Sequence, residues 1–281
     1  MVRVLKPGFY STIQDTGRFG FQEYGVPYSG VMDAYAASVA NMLLGNPKNA
    51  AAVEITMTGP TLQFDIETVI CLSGADMSPM LNGVSVANNK AVKVPNNAVL
   101  SFGKLKSGFR TYLAIMGGFK TEEIMQSRSM FKGITASHVL AKGDVLDVKN
   151  SIKSLVDKHA SIKFNNSYLK SNIVEVFKGP EFDKLSEEQQ EFLLTHEFSV
   201  SKDNNRMAYQ LEDLLENNLE AIITSLVLPG TVQLTPSGKL IVLLRDCQTT
   251  GGYPRVLQLK ESAMNIMAQK YTGSKINFKL V

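Results

Sequence analysis

Short apolar runs separated by Gly, Asn and Pro recur along the whole chain. They are rich in Val, Ile, Leu and Phe, and each is only a few residues long. Runs of this kind, bounded by residues that favour turns, predict β-strands. The clearest candidates are residues 68–72, 99–102, 110–116, 173–177, 231–234, 240–244 and 275–281. In the last of these, apolar and polar positions alternate, as in a strand with one buried face.

Two pairs of residues between such runs are predicted hairpin turns. They are Asn82-Gly83 and Asn96-Asn97. Both Asn and Gly tolerate positive φ, which the tight turns of hairpins require.

Three segments show helical spacing instead. Asp33 can cap a helix that Gly45 would end, and Ser186 with Gln189 forms a capping-box pattern. A third, shorter helix is predicted over residues 261–269. Many short strands with few helices predict a mainly β chain of barrels or sandwiches, and they argue against a βαβ nucleotide-binding fold.

A polar stretch rich in Ser, Lys and Asn covers residues 150–172. It separates two halves that each carry strands and one strong helix, so we predict two domains, residues 1–160 and 161–281.

Composition narrows the classes of function. The chain has 281 residues, 20% of them charged, and a formal net charge of +3. Its Lys residues are scattered, so no basic stripe indicates nucleic-acid binding. No apolar run approaches the roughly 20 residues of a membrane span, and the first residues do not resemble a signal peptide. Cys71 and Cys247 lie in apolar runs, which favours buried thiols in a cytoplasmic protein over the alternative of a disulfide.

The first candidate for chemistry is the polar segment 11–20. Asp15 and Arg18 are close enough to pair, and Gln14 with Arg18 offers forked donors for a carboxylate or phosphate. The alternative is a turn with one local ion pair. Further along, Gly117-Gly118 and Arg128 suggest an anion contact, with a structural turn as the alternative.

The second candidate is the loop after the run 240–244. There Asp246 precedes an amide, two hydroxyls and two glycines: Gln248, Thr249, Thr250, Gly251, Gly252 and then Tyr253. A carboxylate acid or base beside donors on a flexible backbone suits a small polar substrate. A single Arg, Arg206, follows another polar turn.

Several motifs are absent. The sequence contains neither common nucleotide-binding glycine loop, no serine-hydrolase elbow and no Met-Lys-Met segment for covalent biotin. Its three histidines, His138, His159 and His196, do not have the spacing of metal ligands, so no metal site is predicted.

Taken together, these segments resemble the biotin-dependent carboxyltransferase-like family. That family includes KipA-type (allophanate hydrolase subunit 2-like) proteins, the C-type component of bacterial 5-oxoprolinase and part of the carboxyltransferase region of urea carboxylase. The resemblance runs in order along nearly the whole chain. It is carried by residues 13–18, 25–27, 30–33, 112–114, 117–118, 127–129, 179–181, 205–207, 229–233 and 246–254.

The resemblance implies two cyclophilin-like β-barrel domains with a few short helices. It also implies a subunit of a complex that hydrolyses 5-oxo-L-proline to L-glutamate, with ATP as co-substrate and no covalent biotin on this chain. The expected partners are a B-type (KipI-like) subunit, which completes a composite site, and an A-type (LamB/YcsF-like) subunit. The alternatives are the carboxyltransferase component of a urea-carboxylase-like biotin system and a non-catalytic KipA-type regulator.

On the oxoprolinase hypothesis, the expected catalytic residues are Asp246, Arg18 and Asp15, with Asp246 as the acid or base. Residue type predicts the following for substrate binding: Gln14, Arg128, Arg206, Gln233, Gln248, Thr249, Thr250, Gly251, Gly252 and Tyr253.

Overall fold

A computed structural model of the chain describes residues 1–148 and 164–281. The predicted boundary between residues 160 and 161 lies outside the described residues, as do His159 and most of the polar stretch.

The described residues form two compact units. The first comprises Met1–Arg18 and Ser29–Leu169, and the second comprises Phe19–Tyr28 and Lys170–Val281. A short segment from the N-terminal part of the sequence therefore groups with the C-terminal half of the chain.

Eleven strands of the first unit form two antiparallel sheets. The six-stranded sheet has the order β11-β1-β4-β9-β6-β7, and the five-stranded sheet has the order β2-β3-β10-β5-β8. The bounds are β1 Val2–Lys6, β2 Tyr10–Gln14, β3 Ala52–Thr56, β4 Thr61–Phe64, β5 Thr68–Asp76, β6 Pro79–Leu81, β7 Val84–Ser85, β8 Ala91–Val94, β9 Ala98–Phe102, β10 Ser107–Ile115 and β11 Val145–Leu146.

One apolar core lies between these two sheets. Val4, Leu62 and Leu100 from the first sheet pack in the same cluster as Ile55 and Leu113 from the second. Alternation along each strand sends these side chains inward, and their burial supplies the main stabilisation of the unit.

The second unit is built on a closed seven-stranded barrel, in the order β12-β19-β16-β17-β14-β13-β20. A separate two-stranded ladder pairs β15 with β18. The bounds are β12 Ile173–Lys178, β13 Phe198–Asn204, β14 Ala208–Leu214, β15 Ser225–Leu226, β16 Thr231–Leu234, β17 Lys239–Leu243, β18 Thr250–Gly251, β19 Arg255–Leu259 and β20 Lys275–Leu280.

The mainly β prediction is confirmed, and three α-helices occur among the described residues: α1 Ala34–Leu43, α2 Glu187–Thr195 and α3 Glu261–Met267. Asp33 caps α1 by accepting a hydrogen bond from the Ala36 N–H, 2.9 Å away. Both halves of the Ser186/Gln189 capping box are formed at α2. Three short 3₁₀ turns complete the elements, at Gln22–Tyr24, Ser167–Leu169 and Phe182–Lys184.

One of the two hairpin predictions is confirmed and the other is wrong. Asn82 and Gly83 both have positive φ and join β6 to its neighbour β7. Asn97 also has positive φ, but β8 and β9 belong to different sheets. The Asn96-Asn97 turn therefore carries the chain from one sheet to the other, because turn residues fix local φ and not the pairing that follows.

Both thiols are free and buried, as predicted. Burial raises the pKa of the Cys247 thiol to about 12, and the nearby Asp246 charge contributes to the same shift. Such a thiol stays protonated and is a poor nucleophile. Across the described ranges, none of the helices has the length and apolar character needed to cross a membrane.

Candidate functional site

In the first unit, the Asp15 carboxylate sits in a cage of protein donors. It accepts hydrogen bonds from the hydroxyls of Ser127 (2.6 Å) and Ser129 (2.7 Å) and from the backbone N–H groups of Gly17 (2.9 Å) and Arg128 (2.6 Å). Asp15 is 8% exposed. Its oxygens therefore hold two distant segments of chain together.

Arg18 contacts the same segment of chain that the Asp15 carboxylate binds. Its side chain is fully buried, and its guanidinium donates to the carbonyl oxygens of Ile124 (3.3 Å) and Ser129. The cation thus contacts main-chain carbonyls of the segment that the Asp15 carboxylate also binds. This geometry favours a positioning role for both residues, and their catalytic role stays a prediction.

Gln14 and Arg128 are also occupied by neighbouring groups. The Gln14 amide nitrogen donates to Thr12 Oγ1 (3.1 Å) and the Met130 carbonyl (3.2 Å), while its oxygen accepts from the Gly30 N–H (3.2 Å). Arg128 donates to the Glu123 carboxylate at 2.8 Å and to the Thr121 carbonyl. A substrate bound by either side chain would have to displace these partners.

A second buried polar cluster lies under α1 in this unit. The Tyr112 hydroxyl donates to Glu54 Oε2 (2.8 Å) and accepts from the Asp33 N–H (2.7 Å). The same Glu54 oxygen accepts from the Met32 N–H at 2.8 Å, and Arg110 Nε lies 3.7 Å from Oε1. These contacts fix the start of α1 on β3 and β10, a long-range arrangement that no local sequence signal indicated.

In the second unit, Arg206 and Asp246 form a two-pronged ion pair. Arg206 Nε lies 2.8 Å from Asp246 Oδ2, and Nη2 lies 3.1 Å from Oδ1. The side chains are 5% and 12% exposed. The Asp246 N–H also donates to the Arg206 carbonyl at 3.0 Å. Both predicted residues are thus brought together, with the carboxylate facing the guanidinium.

The loop after Asp246 is held along its length by main-chain bonds. Thr250–Gly251 pairs with Ser225–Leu226, and the carbonyls of Thr249 and Gly252 accept from Val227 and Ile222 respectively. These bonds set the position of the loop over the barrel wall.

Gly251 packs closely against the buried Gln233 side chain. A Cβ added there would lie 2.6 Å from Gln233 Nε2, closer than real Cβ contacts come. Gln233 is almost fully buried on β16, and its Nε2 donates to the Tyr253 carbonyl at 3.4 Å. The second glycine of the motif, Gly252, supplies the carbonyl bonded by Ile222.

A cavity of about 500 Å³ opens between this loop and the outer face of the barrel. On its floor, Ile241 of β17 lies directly between Gln210 of β14 and Gln233 of β16, because both pair with it in register. Gln248 and Tyr253 of the loop line the cavity, as do the following residues: Lys202, Asp203, Asn204, Asn205, Met207, Ala208 and Leu243. A volume in this range suits a small ligand.

The sequence therefore identified part of this cavity. Gln233, Gln248 and Tyr253 line it, whereas Arg206 and Asp246 lie beside it in the ion pair. Three other lining residues are not among the predicted site residues: Lys202, which lies in the polar turn before Arg206, and the strand residues Gln210 and Ile241. The alternation of β14 was a usable signal, since Tyr209 and Leu211 are buried on the other side of the strand.

A second ion pair fixes the far end of the loop. Arg255 donates to Glu181 through Nε (3.0 Å to Oε2), Nη2 (2.9 Å to Oε1) and its backbone N–H (2.8 Å to Oε2). Arg255 Nη1 also donates to the Leu226 carbonyl at 3.1 Å. The hydrogen bonds from Arg255 hold the pKa of the Glu181 carboxyl below its ordinary value of 4.5.

This pair predicts a pH-dependent loss of stability. Because the folded-state pKa is lowered, the stabilisation is present above pH 4.5 and is lost as the pH falls through the folded-state pKa. Glu181→Gln is expected to lower the free energy of unfolding by about 1–3 kcal/mol at pH 7. The difference in the free energy of unfolding between this variant and the wild type should disappear in acid. Urea denaturation at pH 7 and at an acidic pH below the lowered folded-state pKa of Glu181 measures this difference, with the exposed-pair variant Glu175→Gln as control. An equal gap at both pH values contradicts the assignment.

No group of acidic, His or Cys side chains able to hold a metal ion occurs within residues 1–148 and 164–281.

Comparison with known proteins places this geometry in a family. The family described as "Carboxyltransferase domain, subdomain A and B" matches residues 24–280. The chain is 31% identical to the C-type component of 5-oxoprolinase from Escherichia coli, covering 99% of this chain and 90% of that protein. It is 30% identical to the corresponding 5-oxoprolinase component of Haemophilus influenzae, covering 100% of this chain and 91% of that protein.

A solved structure shows the same fold inside a much larger enzyme. Urea amidolyase from K. lactis superposes with a TM-score of 0.88 at 29% identity, covering 99% of this chain. The match takes up only 18% of the urea amidolyase chain. Most of that enzyme therefore has no counterpart here.

Proposed function

The chain belongs to the carboxyltransferase domain family (subdomains A and B), and we propose that it is the C-type subunit of an ATP-dependent 5-oxoprolinase. The observation that carries the proposal is similarity over nearly the full length of two C-type 5-oxoprolinase components, at 30–31% identity. The proposed reaction of the complex is hydrolysis of 5-oxo-L-proline to L-glutamate.

The chemistry of the substrate explains why ATP is needed. A five-membered lactam is a poor electrophile, because its nitrogen donates electron density into the carbonyl. Phosphoryl transfer from ATP to the carbonyl oxygen, with ADP as the leaving group, would make that carbon electrophilic. Water would then add, the C–N bond would open to leave an acyl phosphate, and a second water would release phosphate and the carboxylate. Fixed dipoles around the ring would stabilise charge that develops on the oxygen.

In this chain, the cavity of the second unit is the proposed place for the lactam. Its floor and loop supply amide groups from Gln233 and Gln248, with the Tyr253 side chain alongside. The ion pair between Arg206 and Asp246 and the glycines of the loop would hold these groups in place. A direct acid or base role for Asp246 is a further hypothesis. It makes a stronger demand on the structure, because the carboxylate would have to leave its guanidinium partner during the reaction.

ATP is proposed to bind mainly outside this cavity. Among the cavity-lining residues that the structure describes, Lys202 is the basic one. A triphosphate calls for more cationic donors or a glycine-rich cradle. We therefore assign the nucleotide to a partner, with a B-type subunit to complete a composite site and an A-type subunit to complete the assembly.

The second candidate function is carboxyl transfer within a urea-carboxylase-like system. Its support is the structural match to urea amidolyase over 99% of this chain. On that hypothesis a separate protein would carry biotin.

One experiment separates the two functions. The chain is combined with A- and B-type subunits, 5-oxoproline and ATP, in bicarbonate-depleted buffer with avidin present to sequester biotin. We expect glutamate release at an undiminished rate. Release that avidin abolishes would favour the carboxyltransferase function instead. So would avidin-sensitive carboxylation of urea in a parallel mixture that contains urea, bicarbonate and a biotin-carrying protein, if no glutamate is released from 5-oxoproline.

A further inference from the structure

We propose that the Gln248 side-chain oxygen accepts a hydrogen bond from the ring N–H of a lactam bound in the second-unit cavity, while Lys202 attracts the carboxylate of the same ligand. This inference rests on the proposed function and extends it to the residues that select the substrate. The ligand class is a small ring with an N–H and a C=O on the same side of an amide bond, carrying one negative charge.

The first observation concerns the Gln248 side chain. Its Oε1 is buried and has no hydrogen-bond partner in the described part of the chain. A buried amide oxygen without a donor is costly, and most such atoms in proteins are partnered. Gln248 lines the cavity, so rotation of its terminal amide can turn this oxygen toward a ligand N–H.

The second observation is that the loop bearing Gln248 is pinned. The next residue, Thr249, accepts from the Val227 N–H at 3.1 Å, and Thr250 pairs with Leu226. On the other side, Asp246 is tied to Arg206. A pinned backbone keeps the amide at the cavity and leaves rotation of the side chain to bring its oxygen to a ligand donor.

The third observation is that Gln233, on the floor of the cavity, offers a hydrogen-bond donor where Gln248 offers an acceptor. Gln233 Nε2 donates one long bond, 3.4 Å, to the Tyr253 carbonyl. Its second N–H has no acceptor among the described residues, so it can donate to a ligand carbonyl. An acceptor at Gln248 and a donor at Gln233 complement the two polar groups of a lactam, while Ile241 offers an apolar surface for the ring.

Lys202 supplies a local positive charge at the rim of the cavity. It is exposed and forms no ion pair within the described ranges. The nearby Asp246 is neutralised by Arg206, while the exposed Asp203 beside Lys202 opposes its charge and weakens the attraction for an anion. Lys202 is therefore the cation that can attract a carboxylate at the rim. Solvent screening will keep this contribution small.

The test compares ligands that differ in single groups. Binding of 5-oxo-L-proline to the full chain is measured by calorimetry beside two analogues. One is the lactone in which a ring oxygen replaces the N–H, and the other is 2-pyrrolidinone, which lacks the carboxylate. We expect the wild type to prefer lactam over lactone by about tenfold or more, because the lactone oxygen faces an acceptor.

Three variants locate the contacts. Gln248→Met is expected to bring the lactam-to-lactone ratio close to one. Gln210→Met, a matched change on the floor of the same cavity, should leave that ratio unchanged. Lys202→Met should reduce the preference for 5-oxoproline over 2-pyrrolidinone by about threefold to fivefold. Circular dichroism checks that each variant is folded.

Several results would overturn the inference. These are no lactam binding by the wild-type chain, no preference over the lactone, or a ratio that survives Gln248→Met or falls equally in Gln210→Met. Failure of the proposed function gives a different result. The reconstituted complex would then release no glutamate although the Gln248-dependent ratio persists, and the site would belong to another cyclic amide.

Discussion

Replacing Asp15 by Ala is expected to lower the free energy of unfolding by about 4 kcal/mol. The substitution removes a buried carboxylate that accepts four hydrogen bonds and leaves the hydroxyls of Ser127 and Ser129 without it. Two backbone N–H groups, at Gly17 and Arg128, also lose their acceptor. Hydrogen bonds to a charged group contribute about 1.5–3 kcal/mol each, and a buried group left unsatisfied costs a similar amount. The contributions are not additive, so the total stays below their sum.

Urea denaturation of the full chain measures this loss, with Asp65→Ala as the matched control. Asp65 makes one exposed ion pair, with Arg3 at 3.2 Å, and its loss should cost less than about 1 kcal/mol. A stable Asp15→Ala protein that has lost all activity in the complex would contradict the positioning role. It would support the direct catalytic role predicted from the sequence.

The second large effect is expected at the ion pair of the second unit. Asp246→Asn and Arg206→Met each remove the charge of one member of a buried ion pair, which costs about 3–5 kcal/mol. Displacement of the adjoining loop should also lower glutamate release by about a hundredfold, since small shifts of positioned groups have effects of this size.

The double variant separates positioning from acid–base chemistry. If the pair acts as a unit that holds the loop, Asp246→Asn combined with Arg206→Met should be no slower than the worse single variant, and more stable than either. Rates are measured in the reconstituted complex at a temperature where every variant is folded. If the two losses of rate multiply, Asp246 has a role of its own beyond the pair, as the acid or base hypothesis requires.

The sequence predicted correctly those caps and turns that depend on residues close together in the chain. The Asp33 cap, the Ser186/Gln189 capping box and the Asn82-Gly83 turn all depend on residues within a few positions of one another. The Asn96-Asn97 prediction was wrong because the pairing of β8 and β9 is decided by distant strands.

The candidate site divides in the same way. The loop from Asp246 to Tyr253 could be identified because its polar and glycine residues are contiguous. The floor could not, because Gln210, Ile241 and Gln233 become neighbours only through the register of three strands. Likewise Asp15 meets Ser127 and Ser129 across 112 and 114 residues of sequence. Local patterns in a single sequence do not reveal such long-range pairing.

An add-back titration tests whether this chain is an essential subunit of a 5-oxoprolinase. A- and B-type subunits are held fixed with 5-oxoproline and ATP, and this chain is added in increasing amounts while glutamate is measured. We expect no glutamate without the chain, and a rate that rises and then saturates at a fixed ratio of subunits. A rate that is the same with and without the chain, or no glutamate from the assembled complex, would contradict it.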